Sequence, residues 1–171
     1  MSKALLIIDM LNDFILEGAP MQVKNALKIV EPIKSEINKS KENGCKVVYV
    51  CDNHEENDKE FEIWPPHCVS GTKGAEIYDE LKPDPEDIIV KKTRYSGFYN
   101  TNLDEVLKKL NVDTLIITGL VTNICVMYTV ADAVSRGYNV IVPKDCVIAL
   151  DDYGHNIGLF QIKNVHKAEV I

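Results

Sequence analysis

The amino-acid sequence predicts an α/β fold centred on a mainly parallel sheet. Short apolar runs alternate with segments of helical periodicity along most of the 171 residues, a pattern typical of parallel sheets. The first run, residues 4–8, is apolar at every position, so we expect a strand that is buried on both faces. The sequence contains no repeat, linker or low-complexity tract, and we therefore expect residues 1–171 to form a single domain.

The elements can be assigned in chain order from the spacing of apolar residues. Strands are predicted at residues 4–8, 45–51, 87–90, 114–118, 140–142 and 168–171. Helices are predicted at residues 23–43, 102–110, 123–136 and 153–165. Gly44 and Gly137 suit the ends of two of these helices, whereas Pro32 should kink or divide the first helix. Residues 52–86 fit neither pattern, and ordered loops of that length are usually functional.

Charge and cysteine content exclude several classes of function. The formal net charge of −7 argues against nucleic-acid binding and against anionic membranes, since both need basic patches. The five cysteines are odd in number and lack paired spacing, which favours a reducing compartment over a disulfide framework. Asp9 interrupts the first apolar run, so we expect neither a signal peptide nor a membrane span, and we expect a cytoplasmic protein.

Three residues with catalytic chemistry lie where predicted strands end or helices begin. Asp9 directly follows the first strand, Lys92 follows the third, and Cys125 lies at the start of the third predicted helix. The positive end of a helix dipole and a nearby lysine favour a thiolate, and an aspartate could move its proton. Taken singly, each has a structural alternative: a capping aspartate, a solvated lysine and an inert core cysteine.

The long loop carries a second group of candidates. Asp52, His54 and His67 offer a carboxylate and two imidazoles, which suit one divalent ion such as Zn, Fe or Mn. The alternative is that these are ordinary polar loop residues. Phe14 and Trp64 are the aromatic candidates for holding a flat ligand, and the alternative for both is packing.

Three motifs resemble those of the isochorismatase-like cysteine hydrolases. They are LLIIDMLNDF at residues 5–14, KTRYSGF at residues 92–98 and GLVTNICV at residues 119–126. The resemblance covers nearly the whole chain and implies a three-layer α/β/α sandwich with a six-stranded, mainly parallel sheet. It also implies a catalytic triad of Asp9, Lys92 and Cys125, in which the thiolate attacks an amide carbonyl.

The resemblance also implies details around the cysteine. Family members usually have a non-proline cis peptide just before it, which here would join Leu120 and Val121. The backbone amides of Val121 and Cys125 would then form the oxyanion hole.

Within that family, the loop with Asp52, His54 and His67 resembles that of nicotinamidases. The implied reaction is hydrolysis of nicotinamide to nicotinate and ammonia through a thioester on Cys125, in pyridine-nucleotide salvage. A metal, most commonly zinc in such a site, would bind the pyridine nitrogen, and Phe14 and Trp64 would sandwich the ring. Some nicotinamidases have a further histidine between these two regions, and others have an acidic residue in that role. This sequence has no histidine between His54 and His67, so Glu60 is the first candidate for a further ligand and Glu62 the second.

Two other functions are compatible with these residues. A related amidase acting on another small amide would keep the triad, and a redox or metal-binding sensor would use Cys125 and the loop. Because relatives commonly self-associate, the resemblance also implies a homo-oligomer. The net charge, as noted above, argues against a nucleic-acid or membrane partner.

Overall fold

The computed structural model describes residues 2–171, and a parallel sheet runs through it. Its strands are β1 (Ser2–Ile8), β2 (Lys46–Asp52), β3 (Ile88–Lys92), β4 (Val112–Leu120), β5 (Asn139–Val142), β6 (Val147–Ile148) and β7 (Glu169–Val170). The order across the sheet is β3-β2-β1-β4-β5-β7, with β6 beside β4, and the pairs among these strands are parallel. The predicted α/β fold with a parallel sheet is confirmed.

The predicted number of six strands is wrong, because the sheet has seven. The additional strand, β6, contains only Val147 and Ile148, which pair with Gly119 and Leu120 at the end of β4. Two residues are too few to show a period of two, and the pairing is with a strand distant in sequence. Neither property can be recognised from local pattern.

Five α-helices connect the strands of the described chain. They are α1 (Asn12–Ile15), α2 (Val30–Glu42), α3 (Leu103–Lys109), α4 (Met127–Ser135) and α5 (Asp152–Phe160). Pro32 does not kink α2, because it lies in the first turn, where backbone amides have no intrahelical partner. The break falls earlier, between the 3-10 turn Ala26–Ile29 and α2. None of the helices within residues 2–171 is long and apolar enough to cross a membrane.

Helices cover both faces of the sheet, and the side chains of β1 contact helices on each face. Leu5 and Ile7 point to one face and share a hydrophobic cluster with Ile33 of α2. Leu6 and Ile8 point to the other face, where α3 and α4 contribute the apolar side chains. The strand is therefore buried on both faces, as its unbroken apolar run predicted.

The long loop between β2 and β3 is held down by the segment after β1. It contains three 3-10 turns, Lys59–Glu62, Lys73–Ala75 and Asp79–Leu81. The side chain of Asn12 donates to the carbonyl of Lys73 at 2.8 Å, and Asp13 accepts from the amide of Cys68 at 2.7 Å. These two contacts fix the loop over the carboxyl edge of the sheet.

Gly119 allows β1 and β4 to approach closely, and its replacement tests this contact. Its φ is +106°, and a Cβ there would lie 2.0 Å from the carbonyl oxygen of Ile8. Gly137 also has a positive φ, +88°, but has open space around the same position. We expect Gly137→Ala to lower the free energy of unfolding by roughly 1–2 kcal/mol. Gly119→Ala should cost at least about 3 kcal/mol, since overpacking adds to strain.

Urea denaturation of Gly119→Ala and Gly137→Ala measures the difference in their free energies of unfolding. Equal losses of stability would show that backbone conformation alone, and not the contact with β1, requires glycine at position 119.

Candidate active site

Three charged side chains meet at the carboxyl edge of neighbouring strands. Asp52 ends β2 and Lys92 ends β3, and their Cα atoms are direct partners in the sheet register. Asp9 follows β1 with a left-handed φ of 52°, and its amide donates to the carbonyl of Val50 at 2.9 Å. All three side chains are buried. Parallel pairing of β1, β2 and β3 therefore brings them together.

The ammonium of Lys92 lies at the centre of this group. Its Nζ is 2.8 Å from Asp9 Oδ2, 2.5 Å from Asp52 Oδ1 and 3.6 Å from Cys125 Sγ. Asp9 Oδ1 also accepts a hydrogen bond of 2.8 Å from the backbone amide of Asp52. The structure thus brings together all three residues of the implied triad, with one lysine contacting both carboxylates and the thiol.

The two carboxyl groups have opposite pKa shifts. Burial raises the pKa of Asp9 to about 6, and Asp52 adds to the effect while Lys92 opposes it. Burial also acts to raise the pKa of Asp52, but Lys92, His54 and His67 outweigh it and hold that pKa below its ordinary value. Two carboxyl groups with separated pKa values suit two roles. Asp9 can exchange a proton, and Asp52 stays ionised.

The pKa values of the Cys125 thiol and of the Lys92 ammonium are both raised. Burial raises the pKa of the Cys125 thiol well above its ordinary value, and Lys92 offsets this only in part. Burial acts to lower the pKa of Lys92, but Asp52 and Asp9 outweigh it and raise it well above its ordinary value. The expected effect of the helix start on Cys125 is therefore outweighed by burial. Burial thus favours the neutral thiol at Cys125, whereas the two carboxylates favour the charged form of Lys92.

Cys125 lies on a π-helical turn, Thr122–Val126, which joins β4 to α4. The peptide bond between Leu120 and Val121, immediately before this turn, is cis. On the side of the turn that faces α5, Thr122 Oγ1 lies 2.9 Å from Nδ1 of His155. The turn that carries the nucleophile candidate is thus enclosed between β4 and α5.

Asp52, His54 and His67 form a cluster that could hold a metal ion. Asp52 Oδ2 is 3.7 Å from the Nε2 atom of each histidine, and all three side chains are buried. Their candidate ligand atoms lie within 4.8 Å of one another. Within residues 2–171, the buried Nε2 of His54 has no hydrogen-bond partner. A buried nitrogen of this kind, facing a carboxylate and a second imidazole, fits a divalent cation.

The second nitrogen of each histidine is held in place. His54 Nδ1 lies 3.1 Å from Asp58 Oδ2, and His67 Nδ1 lies 2.7 Å from the carbonyl oxygen of Pro65. Arg94 Nη1 in turn donates to Asp58 Oδ1 at 2.8 Å. Partners of this kind fix the tautomer and the ring orientation of metal-binding histidines. Sequence reasoning did not predict these supporting contacts of Asp58 and Arg94, although an acidic residue four positions after a candidate ligand was a usable signal.

Glu60 lies near Asp52, His54 and His67, but it is not one of the residues whose ligand atoms converge there. It lies on the 3-10 turn Lys59–Glu62 and is buried, and burial raises its pKa. Its Oε2 is 3.5 Å from Arg94 Nη1. Glu62, the second choice from the sequence, is exposed.

Both predicted aromatic residues line a pocket that reaches Cys125. Phe14 lies edge-on to His67 with ring centroids 5.5 Å apart, and Trp64 Nε1 donates to Tyr95 Oη at 3.0 Å. The pocket is lined by Phe14, Met21, Val23, Asp52, Glu60, Trp64, His67, Tyr95, Val121, Ile124, Cys125 and Leu150. Aromatic and aliphatic walls with a few polar groups suit a small, flat ligand. Tyr95, which belongs to the KTRYSGF motif, is also part of this wall.

The parallel sheet, with a buried cysteine, aspartate and lysine at its carboxyl edge, is the arrangement of a cysteine-containing hydrolase of the α/β class. The chain belongs to the isochorismatase family, because the model of the isochorismatase domain matches residues 3–171. The resemblance of its three motifs predicted this family.

Relatives in the family carry several names. The isochorismatase family protein PncA of Bacillus subtilis, described as uncharacterized, is 33% identical over 99% of both chains. A probable inactive nicotinamidase of Arabidopsis thaliana is 36% identical over 96% of this chain and 89% of its own length.

Solved structures resemble the fold closely. A pyrazinamidase/nicotinamidase of Streptococcus mutans superposes with a TM-score of 0.94 at 33% identity, covering 99% of this chain and 100% of that one. An N-carbamoylsarcosine amidase of Thermoplasma acidophilum has a TM-score of 0.90 at 38% identity, covering 99% of this chain and 95% of that one. A pyrazinamidase of Pyrococcus horikoshii in complex with zinc has a TM-score of 0.93 at 30% identity, covering 100% and 99%.

Removal of the central ammonium should destabilise the chain. Lys92→Met leaves the buried carboxylates of Asp9 and Asp52 without their shared cation, so we expect a loss of about 3–5 kcal/mol in the free energy of unfolding. The adjacent Lys91 is exposed, and Lys91→Met should change stability by no more than about 0.5 kcal/mol. Urea denaturation compares the two variants. A Lys92→Met variant as stable as Lys91→Met would contradict the assigned role of the ammonium.

Proposed function

We propose that the chain is a metal-dependent cysteine amidohydrolase that converts nicotinamide to nicotinate and ammonia, in cytoplasmic pyridine-nucleotide salvage. The observation that carries the proposal is the single ammonium of Lys92, which contacts Asp9, Cys125 and Asp52. This contact joins a hydrolytic centre to a cluster suited to a metal. We also propose that residues 1–171 form one domain with a three-layer α/β/α arrangement.

The first half of the reaction acylates the cysteine. Asp9 takes the proton of Cys125 as the sulfur attacks the amide carbonyl, and a pKa of about 6 lets this carboxylate hold the proton transiently. The tetrahedral intermediate then collapses, its C–N bond breaks, and Asp9 returns the proton to the leaving nitrogen, which departs as ammonia. A thioester remains on Cys125.

The second half hydrolyses this thioester. Asp9, again ionised, takes a proton from a water molecule that attacks the thioester carbonyl, and the C–S bond breaks to release the product acid. Asp9 then returns the proton to the sulfur, which restores the Cys125 thiol, and the product acid ionises to the carboxylate. The backbone amides of Val121 and Cys125 are assigned to the oxyanion in both halves. Lys92 keeps its positive charge throughout and stabilises the thiolate when it forms.

The metal-binding residues in this proposal are Asp52, His54 and His67, with Glu60 as a further ligand. A bound divalent ion would supply a coordination position for the pyridine nitrogen of the substrate. Zinc suits these donors, as do Fe and Mn, and zinc is present in the structure of the Pyrococcus horikoshii pyrazinamidase. Phe14 and Trp64 would contact the two faces of the ring and hold the carboxamide near Cys125.

A second candidate substrate class is another small amide, such as a ureido compound. The observation that favours it is the close fit to the Thermoplasma acidophilum N-carbamoylsarcosine amidase, which at 38% is more similar in sequence than the two pyrazinamidase structures. The aromatic walls and the metal cluster favour a ring with a coordinating nitrogen instead.

The proposed reaction is tested by ammonia release from nicotinamide. Wild-type protein loaded with zinc should turn over, and Cys125→Ala should lower kcat/KM by at least about 10³-fold because no thioester can form. Cys45→Ala is the matched control, since Cys45 is half-buried and precedes β2 at the opposite edge of the sheet. It should keep full activity.

Two results would count against this proposal. Turnover by folded Cys125→Ala would remove the nucleophile. Folded, zinc-loaded wild type that hydrolyses N-carbamoylsarcosine but not nicotinamide would move the assignment to the ureido class.

The contact between Asp58 and His54 predicts an effect on metal affinity that needs no substrate. Asp58→Asn removes the negative charge that fixes the His54 ring, so we expect zinc to bind about 10- to 100-fold more weakly. Glu56→Gln makes the same change in charge at an exposed position of the loop and should leave affinity unchanged. Competition with a chromophoric chelator measures both dissociation constants. An equal loss in the two variants would point to general loop charge instead.

A further inference from the structure

One side-chain hydrogen bond joins the turn Thr122–Val126 to helix α5. Thr122 Oγ1 lies 2.9 Å from Nδ1 of His155. Thr122 is fully buried, whereas the imidazole of His155 is half-buried. Within residues 2–171, the other side-chain hydrogen bond of this turn is the contact of Lys92 with Cys125. Side chains therefore hold the turn at two points, one at the thiol and one at its first residue.

This turn needs support because it is π-helical. Backbone hydrogen bonds that span five residues are rare and occur mostly as single turns at functional sites. Here the carbonyl of Val121 accepts from the amide of Val126 at 3.2 Å and from the amide of Ile124 at 3.0 Å. Relaxation to the α-helical spacing would rotate Cys125 about the helix axis and change the direction of its thiol. A contact that fixes Thr122 opposes that relaxation.

The sequence of α5 places His155 for this contact. Asp151 caps the helix, since its side chain accepts from the amide of Gly154 at 2.6 Å. Gly154 and Gly158 are buried against Asn123, and a Cβ at Gly158 would lie 2.9 Å from the Asn123 Cα. Larger residues at these two positions would move the helix away from the turn. The cap and the two glycines thus fix where the imidazole lies relative to the turn.

The charge state of the imidazole suits a hydrogen bond with a hydroxyl group. Burial lowers the pKa of His155, and Asp152 opposes this effect. The neutral imidazole is therefore favoured at neutral pH. Its Nδ1 can then accept the hydroxyl proton of Thr122 while Nε2 carries the ring proton. The contact is satisfied without a net charge beside the turn.

We propose that His155 is a positioning residue, which acts through Thr122 to hold the π-helical turn and thereby the direction of the Cys125 thiol. This inference rests on the proposed function, because Cys125 is the nucleophile in that proposal. His155 is not among the residues that line the pocket reaching Cys125. Its loss should therefore slow the attack by the thiol and leave substrate binding nearly unchanged.

Steady-state ammonia release from nicotinamide by the zinc-loaded protein tests the proposal. His155→Leu should lower kcat about 10- to 100-fold, because a small misplacement of the thiol slows its attack, and should change KM by less than about twofold. His155→Asn should keep most of the activity, because Oδ1 of asparagine takes the place of Nδ1. His166→Leu is the matched control, since His166 is also half-buried but lies outside α5. It should leave kcat unchanged.

A double-mutant cycle tests whether His155 acts through Thr122. Thr122→Val removes the hydroxyl group at nearly constant volume and should lower kcat as much as His155→Leu does. The double variant should be no slower than either single variant, because both substitutions remove the same contact. Thr122→Ser keeps the hydroxyl group and should keep most of the activity. Thermal unfolding shows that each variant is folded.

Hydrogen exchange of the backbone amides of Thr122–Val126 gives a readout that needs no substrate. His155→Leu should raise their exchange rates about three- to tenfold, the effect of one lost hydrogen bond. His155→Asn and His166→Leu should leave these rates unchanged.

Failure of this proposal and failure of the proposed function give different results. Wild-type protein that releases no ammonia from nicotinamide would refute the proposed substrate, and the exchange rates would then decide the role of His155. Unchanged exchange in the turn of His155→Leu would overturn that role. So would an unchanged kcat in His155→Leu, additive losses in the double variant, or equal losses in His155→Asn and His155→Leu.

Discussion

The arrangement of the site depends on one buried ammonium between two buried carboxylates. Lys92 contacts Asp9 at 2.8 Å and Asp52 at 2.5 Å, and all three side chains are shielded from water. Two carboxylates at this edge would repel each other strongly without the cation between them. The sheet register that pairs Asp52 with Lys92 is therefore both a folding constraint and an electrostatic one.

Sharing the lysine gives the two carboxyl groups different chemistry. Asp52 also faces His54 and His67, so its negative charge is stabilised from two sides and its pKa is held down. Asp9 accepts instead from the backbone amide of Asp52 at 2.8 Å, and burial raises its pKa to about 6. In the proposed reaction, Asp9 would transfer the proton and Asp52 would bind the metal, although the two groups lie at the ends of adjacent strands.

Sequence reasoning predicted the residues whose positions follow from local pattern. Asp9 and Lys92 end apolar strands, so the parallel sheet alone places them together. The contacts of Asp58 with His54 and Arg94 were not predicted, because they join an irregular loop to a strand end and no periodicity describes such contacts. The two-residue strand β6 was missed for the same reason. The pKa shift of Cys125 depends on burial, which opposes the effect of a helix start and which one-dimensional pattern measures poorly.

Two glycines of α5 connect the outer surface of this helix to the turn Thr122–Val126, which carries Cys125. Because Gly154 and Gly158 lie directly against Asn123, α5 can approach the turn that carries Cys125. That approach leaves no room for large side chains on the inner face, and the helix then places most of its apolar residues outside. Exposed apolar area is unfavourable unless something covers it. The close packing of α5 against this turn therefore also decides which apolar side chains of the helix are exposed.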